Sequence, residues 1–400
     1  MKILSIYRHY WPDTAPFGRI LKLILERWVN DGHIVTVYSG QPSYNDIYIE
    51  KRPWYEVHNG VNIIRVFLLP EKKKICWLRF VNFLIFLSRS LFHVLINRYD
   101  LIIINSYPPI LMGFTARLIN RVRRIPYIYY CQDIQPESSI LAGYLKNGYL
   151  YNFIKKIDTN NCKRASVVVT LSEDMANTLS DRGLLREKIW VRNNFIIDTY
   201  NAQNDLLPDI FKTTEDNFRV LFAGNIGNFQ GLENVVEAAK LLYDNSKIKF
   251  IFMGEGEAKV NLIKQAGELL DKTVFFIPYK PIEIAFAAMS NSDLGVVPLK
   301  PGLFKMAFPS KTMMYLAAGC PVLTIVENES ELSRFTKEKG VGCSCPLEPL
   351  SIAQTISSAY ELRKELKMKR DEIRKVGNKE FGKDIALNEW SRLIQKSKLC

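Results

Sequence analysis

Phe308–Val322 reads FPSKTMMYLAAGCPV. This order of residue types describes a loop, a helix and the entry to a buried strand. Pro309 and Ser310 suit a helix start, because proline pre-sets φ and a serine hydroxyl can accept from the free N–H groups of a first turn. Ala317, Ala318 and Gly319 allow close packing, and Gly319 suits the stop. Lys311 falls in the first turn, where the helix dipole disfavours a cation. Its place there makes sense if an anion such as a phosphate docks on the same turn; otherwise it describes an ordinary helix with a solvated lysine.

A second stretch of the same kind precedes it. Val220-Leu221-Phe222-Ala223-Gly224 is an apolar run, Asn225-Ile226-Gly227-Asn228-Phe229-Gln230-Gly231 is a glycine-rich turn, and Leu232–Leu242 has helical spacing. Strand, glycine turn and helix together present backbone N–H groups to a phosphate. One such turn is weak evidence. Two in one half-chain, both opening helices, are stronger.

Working outward, β-like runs alternate with helical ones along the whole chain. They fall at Ile3–Tyr7, Ile34–Tyr38, Ile63–Phe67, Leu101–Asn105, Tyr127–Cys131 and Val167–Leu171. Five more fall at Arg219–Ala223, Lys249–Met253, Thr273–Ile277, Leu294–Pro298 and Pro321–Ile325. The alternation predicts α/β architecture, with parallel sheets covered on both faces and two doubly wound blocks. Thr199–Asn217, rich in Asn, Asp, Pro and Thr, reads as the linker. The expected organisation is therefore 1–200, a linker 201–217, 218–380, and a C-terminal helix 381–400 that packs back on the first domain. In open α/β sheets ligands sit beyond the carboxyl ends of the strands. The candidates in that position are Gly18 and Arg19 after the first strand, Gln132 and Asp133 after the fifth, Asn225–Gly231, and Gly254-Glu255-Gly256. Their convergence predicts one site in a cleft between the domains. Plainer readings stand beside these: Asp133 as a helix cap, Glu137 as a surface acid, Gly254–Gly256 as a tight turn, Arg19 as a solvated side chain.

Four hundred residues with 48% hydrophobic and 24% charged content describe an ordinary globular protein with room for a large core. Seven cysteines without metal-ligand or redox spacing, and four scattered histidines, predict free thiols, a reducing compartment and no metal site. The apolar run in MKILSIYRHYW is too short for a signal peptide and reads as a first strand. The expected location is cytoplasmic. The formal charge of +13 is uneven: residues 1–200 hold 27 Lys+Arg against 16 Asp+Glu, residues 201–400 hold 27 against 25. A basic first half points to an anionic partner. Nucleic acid is disfavoured, since no helix-turn-helix, zinc-finger or RNP-like pattern occurs.

Lys72-Lys73-Lys74 leads into Ile75–Asn97, ICWLRFVNFLIFLSRSLFHVLIN. Arg79, Asn82, Arg89, Ser90 and His93 share one sector of roughly 100° on a helix, and the remainder is apolar. Three readings compete. A transmembrane span carries two mid-segment arginines at a cost. A core helix of a soluble domain is the second. An interfacial helix, with Lys72, Lys73 and Lys74 on headgroups and Trp77 and Phe80 in the apolar layer, is preferred and places an anionic membrane surface among the partners.

These residues resemble those of the retaining family-four glycosyltransferases of the GT-B fold, over nearly the whole chain. The matching pieces are Tyr10–Arg19 with Asp31–Val37, Asp133-Ile134-Gln135-Pro136-Glu137-Ser138, Ala223–Gly227 with Gln230-Gly231-Leu232, and Asp293–Leu299 with Pro309-Ser310-Lys311 and Leu316–Val322. The likeness is nearest to the bacterial O-antigen and capsule subgroup that contains WbuB-type N-acetylfucosamine transferases. The resemblance implies two facing Rossmann-like domains. The second binds a nucleotide-diphosphate sugar, expected to be UDP-linked and to carry an N-acetylamino sugar. The first binds a polyprenyl-diphosphate-linked acceptor at the inner face of the cell membrane. It implies retention of anomeric configuration without metal or cofactor. Asp133 and Glu137 are then the catalytic candidates. Gly18, Arg19, Asn225, Gly227, Gln230, Gly254, Glu255, Ser310 and Lys311 are the donor-binding candidates. Two departures stand out: Met306 and Met314 occupy positions where many members carry glutamates, and Asn225 and Gln230 stand where the broader family has Arg and Lys. A GT-B-fold nucleotide-sugar 2-epimerase and a non-catalytic assembly partner are the alternatives.

Overall fold

The computed structural model describes residues 1–13, 15–43, 51–69, 76–141, 143, 145–197, 203–212, 217–228 and 230–397. Lys72, Lys73 and Lys74, and residues 201–202 and 213–216 of the expected linker, lie outside the described residues. The chain divides into two compact units. Unit 1 comprises Met1–Ile140, Leu145–Ile197 and Asp384–Cys400; unit 2 comprises Leu141–Tyr144 and Asp198–Lys383. Part of the expected linker is structured: Asn204–Leu206 forms a 3-10 turn and Asp209–Lys212 a short helix.

Among the described residues unit 1 holds eight strands: β1 Lys2–Ile6, β2 Ile34–Gly40, β3 Tyr55–His58, β4 Val61–Val66, β5 Leu101–Asn105, β6 Tyr127–Cys131, β7 Val167–Thr170 and β8 Ile189–Val191. Their order is β3-β4-β2-β1-β5-β6-β7-β8, and all neighbours pair in parallel except the β3–β4 hairpin. The parallel strands are apolar throughout, as burial on both faces requires: LIIIN of β5 and YIYYC of β6 are buried at every position. Six helices of this unit matter below: α1 Pro16–Asn30, α2 Cys76–Ile96, α3 Leu111–Arg123, α4 Glu137–Leu141, α5 Tyr149–Arg164 and α6 Glu173–Asp181. The C-terminal helix Lys383–Ser397 packs into this unit. Trp390 is fully buried against the Trp28, Tyr130 and Trp190 rings, and its carbonyl accepts from Trp28 Nε1 at 3.3 Å.

Unit 2 holds β9 Phe218–Ala223, β10 Ile248–Met253, β11 Val274–Ile277, β12 Leu294–Pro298, β13 Val322–Ile325 and β14 Gly342–Cys345. The sheet is wholly parallel in the order β11-β10-β9-β12-β13-β14. Strand order reverses between β9 and β12, the place where doubly wound sheets open a crevice at their carboxyl edge. Its core gathers Phe218, Phe222, Phe250, Phe252 and the aliphatic residues of the flanking helices.

Helix α2 divides its polar sector: Asn82 and Ser90 are buried and His93 half-buried, whereas Arg79 and Arg89 are exposed. Buried Asn82 accepts from Leu69 N–H at 2.9 Å and donates to the Leu69 carbonyl at 2.8 Å. Buried Ser90 donates to the Phe86 carbonyl, and His93 meets the Tyr99 hydroxyl at 2.7 Å. Phe83 packs its ring against Tyr107 and under Arg8. The outward face is apolar: Trp77 is 69% exposed, Phe80 54%, and Leu84, Phe92, Leu95 and Ile96 are exposed with them. An asparagine can turn inward because one amide satisfies both backbone groups of Leu69, so no polar atom is stranded. Among the described residues one helix, Trp77–Ile96, has the length and composition to cross a membrane.

Candidate functional site

In unit 2 the site is built on the switch point. β9 and β12 pair only at Val220–Leu294 and Leu221–Gly295, then part. The ring of Tyr315 lies on Gly295, where a Cβ would come within 2.5 Å of it. Its hydroxyl takes over the unpaired backbone of β9, donating to the Leu221 carbonyl at 2.8 Å and accepting from Ala223 N–H at 2.9 Å. Lys311 lies one helical turn earlier on Lys311–Ala317, so it rises along the same side toward the strand end.

There its ammonium is enclosed. Nζ lies 3.5 Å from the centroid of the buried Phe222 ring and near Gly224, and it has no hydrogen-bond partner among the described residues. The residue as a whole is half-buried; its stem meets solvent while its head does not. Burial pushes the ammonium pKa down to about 7. An ordinary lysine does the reverse and carries its charge out to water.

The neighbouring loops close around this point. Gly224 N–H donates to the Met253 carbonyl, Ile226 N–H to the Glu255 carbonyl at 2.8 Å, and Ala258 N–H to the Ile226 carbonyl. Gly254 has φ +150°, and a Cβ there would lie 1.9 Å from the Gly224 carbonyl, so the two strand-end loops touch only because it has no side chain. Gln230 Oε1 accepts from Gly227 N–H at 3.1 Å and shapes the turn. Gly224 and Asn225 remain exposed. The structure thus brings together Asn225, Gly227, Gln230, Gly254, the Glu255 backbone and Lys311. The Glu255 carboxylate is occupied with Lys259 Nζ at 2.7 Å. Ser310 departs from expectation: it is exposed, helical in backbone, and makes no capping hydrogen bond, because the chain already turns before it. Met306 and Met314 are half-buried. A cavity of about 590 Å³ lined by Pro208, Lys249, Asp271 and Phe275 lies at the opposite, strand-entry edge and holds none of these groups.

In unit 1 the candidates behave differently from one another. Asp133 follows β6 and is exposed, yet desolvation raises its carboxyl pKa to about 6. Glu137 opens α4 only four residues on, but its carboxylate is committed. Arg182, at the end of α6, donates Nε at 3.2 Å to one oxygen and an Nη to the other, and Lys155 Nζ stands 3.1 Å away. The same guanidinium reaches Asp158 Oδ2 at 2.8 Å and the Gln135 carbonyl at 2.8 Å. Glu137, expected as a catalytic group, is thus paired on both carboxylate oxygens and anchors the 133–137 turn. Gly18 is a packing glycine, since a Cβ would meet the His9 carbonyl at 2.5 Å. Arg19 lies on α1, half-buried.

A polar cluster at the carboxyl edge of this sheet contains one sequence candidate, Gln132, and four residues that the sequence reading missed, His9, Asp13, Tyr130 and Asn194. His9 Nδ1 stands 3.1 Å from Asp13 Oδ2, which also accepts from Ser43 N–H at 3.0 Å. Gln132 and Asn194 pair their amides, and the Tyr130 hydroxyl donates to Asn194 at 2.8 Å. The partners lie as much as 64 residues apart, beyond any local pattern. Among the described residues no group of His, Cys, Asp and Glu is arranged to hold a metal ion.

Residues 18–199 match the family model described as Glycosyltransferase Family 4, and residues 204–376 the one described as Glycosyl transferases group 1. The probable glycosyltransferase WbjE of Pseudomonas aeruginosa is 26% identical over 66% of this chain and 67% of its own length. The putative colanic acid biosynthesis glycosyl transferase WcaI of Escherichia coli K12 is 25% identical over 89% of this chain and 91% of its own. Among solved structures, the sucrose-phosphate synthase of Thermosynechococcus elongatus superposes with TM-score 0.77 at 14% identity, covering 99% of this chain and 98% of that one. HepE of Anabaena in complex with UDP gives 0.72 at 15%, covering 99% and 100%. At such identities the structures speak for the fold, two Rossmann-like units of the GT-B type.

Proposed function

We propose, from the premise that this chain belongs to the family-four glycosyltransferases, that it transfers a sugar from a nucleotide-diphosphate donor to a lipid-linked saccharide during assembly of a bacterial surface polysaccharide. The observation that carries the donor half is Lys311. A buried ammonium without a hydrogen-bond partner costs on the order of 1–3 kcal/mol or more, a cost that a bound anion removes. In the turn beside it the Ile226 and Gly227 N–H groups are taken by the Glu255 carbonyl and Gln230 Oε1, so the exposed Asn225 is the residue of that turn offered to a ligand, and HepE, of the same fold, has been seen with UDP and UDP-glucose. The reading is a UDP-linked sugar, an N-acetylamino sugar by the motif likeness. The diphosphate lies on Lys311 and Asn225, and Arg19 is a further proposed cation for it. The bond from the anomeric carbon to the diphosphate breaks, a bond to the acceptor oxygen forms on the same face, and the acceptor proton leaves with the diphosphate. Lys311 stabilises that leaving charge electrostatically, without a metal. Asp133 orients the acceptor hydroxyl or shields the positive charge at the anomeric carbon.

For the acceptor half the name of WcaI, a putative colanic acid biosynthesis glycosyl transferase, supplies the polysaccharide context. The apolar outer face of α2 supports a peripheral place on the cytoplasmic surface of the cell membrane, where a polyprenyl-diphosphate acceptor would be met. Calorimetry with UDP tests the donor half. Wild-type protein binds, and Lys311→Met binds at least tenfold more weakly; equal affinity removes Lys311 from the site and with it the main support for the reading.

A further inference from the structure

Unit 1 concentrates exposed aromatic side chains at one edge. α2 ends four residues before β5 begins, and α5 ends two residues before β7 begins. Each helix runs antiparallel to the strands, so each helix start lies at the carboxyl edge of the sheet, the edge that carries Asp133. α3 starts directly after β5 and packs between the other two. All three present large apolar groups in their first turns: Trp77 and Phe80 on α2, Phe114 on α3, and Tyr149, Leu150 and Phe153 on α5. Tyr149 is 97% exposed, Leu150 60% and Phe153 62%. On a helical projection these three fall with Lys156 in one sector of roughly 120°. Three large apolar side chains in one exposed turn are a patch, not the scattered singles of an ordinary surface.

The exposed charge at these helix starts is mainly positive: Arg79 on α2, and Lys146 and Lys156 about α5, stand against two acids of the 133–137 turn, Asp133 and Glu137. One of the two, Glu137, is neutralised within the protein by Arg182. Lys146 and Lys156, flanking the α5 patch, are exposed. Tyrosine and phenylalanine beside lysine suit the headgroup layer of a bilayer, where an aromatic ring is half wetted and a cation meets lipid phosphate.

We infer that the first turn of α5 is a second lipid anchor, and that with the start of α2 it forms a rim by which the carboxyl edge of the unit 1 sheet docks on an anionic bilayer. This rests on the membrane reading above and extends it. One anchor leaves a peripheral protein free to roll about its contact, whereas two on neighbouring helices define a plane. That plane holds the Asp133 edge toward the lipid, so the acceptor class is a saccharide whose reacting hydroxyl stays within a few sugar units of the bilayer.

Co-sedimentation of the full chain with vesicles tests it, using phosphatidylcholine alone and phosphatidylcholine mixed with phosphatidylglycerol. Tyr149→Ser/Leu150→Ser/Phe153→Ser should lower the partition coefficient on the mixed vesicles at least tenfold while UDP affinity and circular dichroism stay unchanged. Trp77→Ser/Phe80→Ser should lower it independently. If the α2 variant loses binding and the α5 variant keeps it, the second anchor is refuted and the membrane reading survives. If wild-type protein sediments with neither vesicle, or equally with both, the membrane reading itself fails. If the α5 variant instead turns a dimer into a monomer and keeps its vesicle binding, the patch joins two copies and the inference is overturned. Melting of the α5 variant is checked by a Tyr149→Ser single variant, for which a threefold loss of partitioning is expected and none is refuting.

Discussion

The two strand-to-helix turns that carry the candidate chemistry solve opposite problems. In unit 1 the 133–137 turn is closed: Arg182 satisfies Glu137, Asp158 and the Gln135 carbonyl at once, and Lys155 completes the cluster. In unit 2 the turn after β9 is open: Lys311 is held over Phe222 with no hydrogen-bond partner among the described residues. Buried charge is tolerated when paired and expensive when alone. A paired cluster therefore argues for scaffolding, and an unpaired one for a ligand that supplies the missing partner. By that measure Lys311, already a donor-binding candidate in the sequence, is the stronger functional candidate, and the carboxylate of Glu137 is held by the scaffold.

The largest effect should come from breaking the closed cluster. Arg182→Ala leaves two carboxylates buried without their cation and should destabilise unit 1 by about 3–5 kcal/mol, read by urea denaturation. A loss under 1 kcal/mol would mean that the cluster is not a structural pivot. Next, Asp133→Asn should lower kcat on the order of 100-fold with donor affinity unchanged, while Glu137→Gln should act mainly through stability. If Glu137→Gln is as stable as wild type and loses kcat equally, the division between the two acids is wrong.

Lys311→Met keeps the stem over Phe222 and removes the charge. It should weaken UDP binding by about 1.5–3 kcal/mol and stabilise the empty protein. A destabilised variant would show that the ammonium has a partner after all.

The smallest effect is a pH slope with a defined sign. With its pKa near 7 in the fold, Lys311 binds fewer protons than it does in the unfolded chain. Stability of the empty protein should therefore rise with pH from about 7 towards the ordinary lysine value, through this group. A bound diphosphate reverses the preference and draws a proton in. UDP affinity should fall as pH rises above 7, by at most about tenfold per unit. Calorimetry in buffers of different ionisation enthalpy counts the proton taken up, and Lys311→Met should abolish the uptake. An unchanged count in the variant would assign the proton elsewhere.

Much of this molecule is determined by local sequence. The eleven expected strands all form, because each is an apolar run bounded by turn residues and buried on both faces. The three strands that went unread, YEVH of β3, IWV of β8 and GCSC of β14, are short members at or beside sheet edges. Their pairing is set by a neighbour already in place and not by their own composition. The glycine turn at 225–231 and the helix after Pro309 were likewise readable, since glycine and proline restrict the backbone wherever they stand.

What the sequence could not determine is where polar side chains end. Periodicity placed Arg79, Asn82, Arg89, Ser90 and His93 of α2 on one stripe, but not the split within it: Asn82 and Ser90 are buried while Arg79 and Arg89 are exposed. That choice depended on Leu69 offering both its backbone groups to Asn82. Glu137 and Lys311 show the same limit. Arg182 is 45 residues from Glu137, and the Phe222 ring is far in sequence from Lys311, so neither environment leaves a local trace. Backbone conformation is governed by interactions a few residues long, which a sequence displays. The state of a charge is governed by which distant groups surround it, and only tertiary packing decides that.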